Sequence, residues 1–196
     1  MIKIYYCNTP CPDPPQKGSE QRMKKIAHCK SIEQRLEQVR ATKCLHAGFA
    51  ELGVDEQNVV YCTNDYGKPY LPDALNINFS ISHTKSISIV AFCDKEIGID
   101  CENNNRVLSS EILNRYFSKQ EADAFSSSPV FLWVAKEAFV KYTGKGFAHG
   151  RKEIELPFFE NELLLDGVWF KKLDIEGHTV VVCSNTPQEI TVKNIL

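Results

Sequence analysis

The spacing of apolar and polar residues changes character several times along the chain. Residues 1–6, MIKIYY, alternate weakly and predict a strand. Residues 7–15 hold four prolines in nine positions and predict a loop. From Ser31 the composition turns helical through SIEQRLEQVRATKCLHAGFAELG, with Ser31 and Gln34 in the form of a capping box and Gly53 as the stop. NVVYCT predicts a strand and NDYGKPYLPDA a turn-rich loop. INFSISHT and ISIVAFC predict two strands joined by a turn at His83-Thr84-Lys85-Ser86, and IGIDCE a further strand. Ser118 with Glu121 opens a short helix. Ser128-Pro129 then places a cap and a first-turn proline before VFLWVAKEAFVKYT, which Gly144 ends. IELPFF, GVWFKKLDI, HTVVVCSN and EITVKNIL predict strands between Gly, Asn and Asp turns.

This order predicts two similar halves, residues 1–97 and 98–196, each with a long helix followed by an antiparallel pair. ISIVAFCDK in the first is matched by TVVVCSN about 90 residues on in the second. The alternation is not a regular βαβ ladder, so the fold class is α+β.

Composition excludes more than it assigns. The 196 residues are 43% hydrophobic and 24% charged, enough for a sizeable core without staples. A net charge of -2 argues against bulk nucleic-acid binding. No apolar run is long enough to span a membrane. The opening MIKIYYCNTPCPDPP lacks the form of a signal peptide. The eight cysteines show no repeated and no C-x-x-C spacing, and without an export signal reduced thiols in a cytoplasmic protein are expected. A zinc set of Cys7, Cys11, His28 and Cys29 has poor ligand spacing.

Four constellations could carry chemistry. Asp100 and Glu102 stand two apart on a strand, hence on one face. Paired carboxylates call for a cation, and hard oxygens suit Mg²⁺; the same pair also fits a solvated strand end before Asn103, Asn104 and Asn105. The helix around Lys136, Glu137 and Lys141 is apolar on nearly every side, so its charges need partners. Glu137 and Lys141, four apart, can reach one site or form a surface pair. Ser80, Ser82, His83 and Lys85 offer phosphate-binding groups at a strand end, or a polar hairpin turn. Gly67-Lys68-Pro69-Tyr70 is by itself a turn. Gly144-Lys145-Gly146-Phe147 follows a helix instead of leading from a strand into one, so neither a P-loop nor a dinucleotide fingerprint applies.

Together these pieces resemble the Sfp-type 4′-phosphopantetheinyl transferases. The family pattern of GKP, F-N-x-S-H-S, G-x-D-x-E and W-x-x-K-E-[AS]-x-x-K-x-x-G is met in order. Here it reads Gly67-Lys68-Pro69, Asn78-Phe79-Ser80-Ile81-Ser82-His83-Thr84, Gly98-Ile99-Asp100-Cys101-Glu102, then Trp133-Val134-Ala135-Lys136-Glu137-Ala138-Phe139-Val140-Lys141-Tyr142-Thr143-Gly144. Arg115-Tyr116-Phe117-Ser118 with Glu121 is similar to the family's R-F-F-S-x-x-E stretch.

The resemblance implies a pseudo-dimer of two α+β halves with the active site in the cleft between them. It implies Mg²⁺-dependent transfer of 4′-phosphopantetheine from coenzyme A to a serine of an apo acyl or peptidyl carrier protein, releasing adenosine 3′,5′-bisphosphate. A monomer would suffice. Carried over residue by residue, Asp100, Glu102 and Glu137 would hold the metal, Lys141 the pyrophosphate, and Lys68, Ser82 and His83 the nucleotide end. Catalysis would rest on Glu137 as the base, Lys141 and Asp100. Lys43-Cys44 stands where members often show a basic residue followed by Ser or Thr, and Lys24, Lys25, Lys30 and Arg40 are the other basic candidates for phosphate contacts. The carrier would dock on residues 103–128 through Arg106, Arg115 and Lys119 with Val107, Leu108, Ile112 and Leu113, unless those apolar residues only pack a helix. The alternative function is a non-catalytic module that binds coenzyme A or a carrier protein.

Overall fold

Two apolar runs, residues 89–93 and 180–183, become inner strands of two sheets in a computed structural model of the chain, which describes residues 1–10, 13, 18–72, 76–146 and 154–195. Residues 11, 12, 14 and 15 of the proline-rich loop, Cys11 among them, lie outside the described residues. The elements are β1 (Ile2–Cys7), α1 (Glu20–Ala27), α2 (Ile32–Glu51), a 3-10 turn (Glu56–Asn58), β2 (Cys62–Thr63), β3 (Pro69–Tyr70), β4 (Asn78–His83), β5 (Ser88–Cys93) and β6 (Ile97–Asn103). They continue with α3 (Ser110–Tyr116), α4 (Lys119–Ala124), α5 (Pro129–Thr143), β7 (Glu162–Leu165), β8 (Val168–Ile175), β9 (His178–Ser184) and β10 (Ile190–Asn194). The architecture is mixed α+β.

By packing, the chain forms two units: Met1–Thr63 with Pro69–Glu96 and Gln188–Leu196, and Asn64–Lys68 with Ile97–Pro187. The first unit carries a sheet of order β10-β1-β5-β4, the second one of order β6-β9-β8-β7. In the first, β5 is buried along its whole length, as its unbroken apolar run demands. Helix α2 packs Cys44, Leu45 and Phe49 onto Tyr5, Phe79, Val90 and Phe92, with Phe49 and Phe92 edge to face at 5.2 Å. In the second, α5 sets Phe131, Val134, Ala135 and Ala138 against Phe170, Val181 and Cys183. Each large apolar side chain buried this way contributes on the order of 1.5–3 kcal/mol.

Both units run strand, long helix, antiparallel hairpin, with the hairpin's second strand paired to the opening strand: β1-β5-β4 in one, β6-β9-β8 in the other. The matched segments ISIVAFCDK and TVVVCSN supply β5 and β9, the central strand of each trio.

The structure departs from the sequence expectations at definite places. Residues 154–159 form no strand, because side chains engage their backbone: Lys136 Nζ donates to the Ile154 carbonyl at 2.9 Å and the Leu156 N–H donates to Glu121 Oε1 at 2.9 Å. The edge strand instead is β7, in the leucine run just beyond. Only Cys62 and Thr63 of NVVYCT pair, with Tyr70 and Pro69. Helix α1 was not expected; its signal is Ser19, whose hydroxyl accepts the Arg22 N–H. Ser118 and Glu121 make a complete capping box. Gln34 reaches instead to the N–H of Lys30, one residue before the cap, and Ser128 makes no side-chain cap bond. Finally, β10 lies parallel to β1, Ile2 opposite Ile190 through Tyr6 opposite Asn194, so residues 188–196 belong with the first unit and not with the second half in which sequence order places them. The described cysteines are free thiols. Among the described residues no helix is long and apolar enough to cross a membrane.

Candidate active site

The chemistry of the second unit is set by how closely α5 lies on β6. A Cβ at Gly98 would stand 2.1 Å from the Ala138 carbonyl oxygen and 2.4 Å from the Tyr142 nitrogen, so only glycine lets helix backbone touch strand backbone here. Two residues on, Asp100 meets the same helix: Lys141 Nζ donates to Asp100 Oδ1 at 2.6 Å, and both side chains are largely buried. Burial alone would lower the Lys141 ammonium, but the Asp100 charge and hydrogen bond, with Glu137 adding, hold it above its ordinary value.

Glu137 stands one turn before Lys141. Burial first, then the neighbouring Asp100 charge, push its carboxyl up to about 7, against the pull of Lys141 and Arg106. Glu102 shares the Asp100 face of β6. One of its oxygens takes the Asn103 N–H at 2.9 Å and the other an ion pair with Arg106.

The structure separates this set from Lys136. That lysine is buried in an ion pair with Glu121 at 2.7 Å and holds α4, α5 and the segment at Ile154 together. Lys68, from the GKP turn, donates to the Tyr142 carbonyl at 3.2 Å and the Ile97 carbonyl at 3.4 Å, tying the end of α5 to the start of β6. Gly144 ends the helix at φ 67° as the sequence predicts.

The donor set suits a hard divalent cation: two carboxylates on one strand face and a third whose burial makes its charge costly until a cation arrives. Lys141 and Arg106 answer that need in the protein as it stands. Among the described residues no three His, Cys, Asp or Glu side chains already form a ready metal group. Of the proposed zinc set, His28 Nδ1 bonds the Lys24 carbonyl at 2.7 Å and Cys29 the Lys25 carbonyl at 3.4 Å, while Cys11 lies outside the described residues.

The first unit holds a separate pocket of about 350 Å³, walled by Arg22, Lys25, Gln38, Tyr61, Phe79, Ile81 and His83 among others. His83 Nδ1 lies 3.2 Å from Glu37 Oε2 and its Nε2 3.4 Å from Gln38 Nε2. Arg22 fixes Gln38 by donating to its carbonyl at 3.3 Å and its side-chain oxygen at 3.2 Å. Burial and the Arg22 charge both lower the Lys25 ammonium, the condition that a bound anion relieves. The pocket thus offers cations beside an apolar, aromatic wall.

Strand alternation divides the S-x-S-H motif. Phe79, Ile81 and His83 line the pocket, whereas Ser80 and Ser82 point to the opposite face and are buried. Of the basic candidates, Lys25 reaches the pocket. Arg40 is buried and holds the hairpin carbonyls of Thr84 and Lys85 at 3.2 and 2.8 Å, and Lys24 pairs with Glu20. Cys44 lies in the core, where burial pushes its thiol well up, so it makes no polar wall. Arg22 was missed because its signal, a lone arginine in an unpredicted helix, is weak. In the segment after β6, Leu108, Ile112 and Leu113 pack on the unit's core while Val107 is 90% exposed.

The sequence model of the 4′-phosphopantetheinyl transferase superfamily matches residues 96–177, the stretch that carries Asp100, Glu102, Glu137 and Lys141. The chain is 31% identical over 163 residues to the 4′-phosphopantetheinyl transferase Sfp of Bacillus subtilis, covering 71% of this chain and 70% of that protein. It is 32% identical over 124 residues to the 4′-phosphopantetheinyl transferase HetI of Nostoc sp., covering 57% and 52%. With the L-aminoadipate-semialdehyde dehydrogenase-phosphopantetheinyl transferase of Candida glabrata it shares 26% identity over 177 residues, covering 80% and 69%. The sequence is that of a phosphopantetheine-transferring enzyme. The chain belongs to the 4′-phosphopantetheinyl transferase superfamily.

Proposed function

We propose that the protein transfers 4′-phosphopantetheine from coenzyme A to a serine hydroxyl of an apo acyl or peptidyl carrier protein, releasing adenosine 3′,5′-bisphosphate. The observation that carries this reading is the grouping of Asp100, Glu137 and Lys141 across β6 and α5, within the stretch that matches the family. In the reaction the serine oxygen bonds to the phosphorus on the pantetheine side, and the pyrophosphate P–O bond breaks. Glu137, with a carboxyl near neutrality, accepts the hydroxyl proton. Lys141, oriented by Asp100, donates to the leaving phosphate as its charge grows. Magnesium held by Asp100, Glu102 and Glu137 would supply charge neutralisation at the pyrophosphate.

His83, with Lys25 and Arg22, takes the nucleotide end of coenzyme A in the first-unit pocket. The family motif assigns Lys68 and Ser82 to that end as well, but Ser82, buried on the opposite face of β4, does not line this pocket. The repeated strand–helix–hairpin order supports a pseudo-dimer whose two halves serve one coenzyme A molecule in the cleft the family implies. One chain then suffices as a monomer in the cytoplasm, its own described cysteines free thiols, with no nucleic acid or membrane as partner. The carrier meets Arg115, Lys119 and the exposed Val107, where basic side chains steer an acidic partner.

Chromatographic assay of adenosine 3′,5′-bisphosphate tests this. Release from coenzyme A that needs both an apo carrier and Mg²⁺ is the expected result. Coenzyme A binding with no release would leave only the non-catalytic module.

A further inference from the structure

Glu102 differs from its neighbour Asp100 in what occupies it. Asp100 is held by Lys141, which the proposed reaction uses. Glu102 is held by Arg106, for which the reaction has no use. The turn after β6 brings Arg106 there: the Arg106 N–H donates to the Asn103 carbonyl at 3.0 Å, and the side chain folds back onto the strand end. With the Asn103 N–H on its other oxygen, Glu102 has a partner at both oxygens.

Arg106 also has a second seat. Its guanidinium carbon lies 6.0 Å from the centre of the Trp133 ring, on α5. Trp133 is edge-on to Tyr116 at 5.4 Å, and Arg115 covers Tyr116 at 5.4 Å, so the indole is fixed from behind. A guanidinium poised between a carboxylate and an aromatic ring can release the first and keep the second, because the ring's attraction does not depend on the carboxylate. The Arg106 side chain is 37% exposed, which leaves it room to turn.

On the reading that Asp100, Glu102 and Glu137 bind a divalent cation, we propose that Arg106 is a built-in counter-cation that occupies Glu102 in the metal's place and moves onto Trp133 when metal binds. Metal loading is then an exchange of one cation for another. In the unloaded protein Arg106 neutralises Glu102 as Lys141 neutralises Asp100, and the concentration of metal needed to fill the site is set by Arg106 as well as by the ligands.

Manganese titration of the full chain without coenzyme A, read by the loss of the free-ion electron paramagnetic resonance signal, tests the exchange. Arg106→Gln is expected to bind Mn²⁺ roughly fivefold more tightly than the wild type, the weight of one partly exposed ion pair, and Asp100→Asn to abolish binding. Arg106→Lys, which keeps the charge, serves as the second variant, with affinity expected between the two. Circular dichroism melts verify that the variants fold. Unchanged or weaker binding in Arg106→Gln, with binding still lost in Asp100→Asn, overturns the exchange while leaving the metal reading standing. Absence of binding in the wild type and both Arg106 variants, or binding that survives Asp100→Asn, overturns the metal reading and the exchange with it.

Discussion

Lys141 and Asp100 join the long helix of the second unit to its first strand through a 2.6 Å ion pair in a largely buried setting. A charge pair placed there costs desolvation on both sides, so its retention is explained by what the pair does beyond stability. It presents an oriented ammonium beside a carboxylate whose own charge is hard to sustain.

Asp100→Ala is therefore expected to abolish transfer while the protein remains folded by circular dichroism. Lys141→Ala should lower kcat by roughly 10²-fold or more, the usual loss for one donor to developing charge, with a smaller change in KM for coenzyme A. Because the two side chains act as a unit, the double variant should lose less than the product of the single losses.

The second expectation concerns pH. Glu137 is lifted from the ordinary carboxylate range to about 7, chiefly by burial and then by Asp100. A raised carboxyl favours the folded protein while it is protonated. Its contribution is complete below the unfolded value and is lost as pH rises through about 7. The melting temperature of the metal-free wild type should fall across that window more steeply than that of Glu137→Gln. Activity should run the other way, kcat/KM rising as Glu137 ionises, with the rise moving to lower pH as Mg²⁺ is increased because a bound cation favours the carboxylate. A profile flat with pH at limiting Mg²⁺ would remove Glu137 as the base.

Gly98→Ala tests the packing beneath the site. The added methyl would meet helix backbone on two sides, and neither backbone can move alone. A loss of about 1–3 kcal/mol is expected from overpacking, measured by urea unfolding, together with a fall in activity as Asp100 is displaced from Lys141.

At the other unit, the proposal that the pocket grips the nucleotide and not the reacting phosphorus predicts that His83→Ala and Lys25→Ala, both in its wall, each raise the coenzyme A KM several-fold and leave kcat nearly unchanged. If His83→Ala lowers kcat at an unchanged KM, that division of roles is wrong.

How much of this was legible in the sequence depended on the range of the interaction. Helix α5 could be read because it is apolar all round and bounded by Pro129 and Gly144, both local signals. Asp100 and Glu102 fell on one face by the period of a strand, and Glu137 and Lys141 together by that of a helix. What escaped is non-local. Glu121 reads as a capping residue, yet it also holds Lys136 and the Leu156 N–H, which turns a predicted strand at 154–159 into unpaired chain. Nothing in EITVKNIL says that its partner is β1, because the choice of sheet edge is made by the whole fold. Arg106 looks like a solvated loop residue until the turn at Asn103 returns it to Glu102. Ser82 and His83 read as one polar strand end, but only the fold shows that His83 lines the pocket while Ser82 faces away from it.

The most direct test of the central claim is intact-mass spectrometry of a panel of apo carrier proteins after incubation with coenzyme A, Mg²⁺ and this enzyme. The wild type should add one phosphopantetheine group at the carrier serine in at least one member of the panel, and Asp100→Ala should add none. No mass gain on any carrier with the wild type, or an equal gain with Asp100→Ala, would contradict a transferase working through Asp100, Glu137 and Lys141.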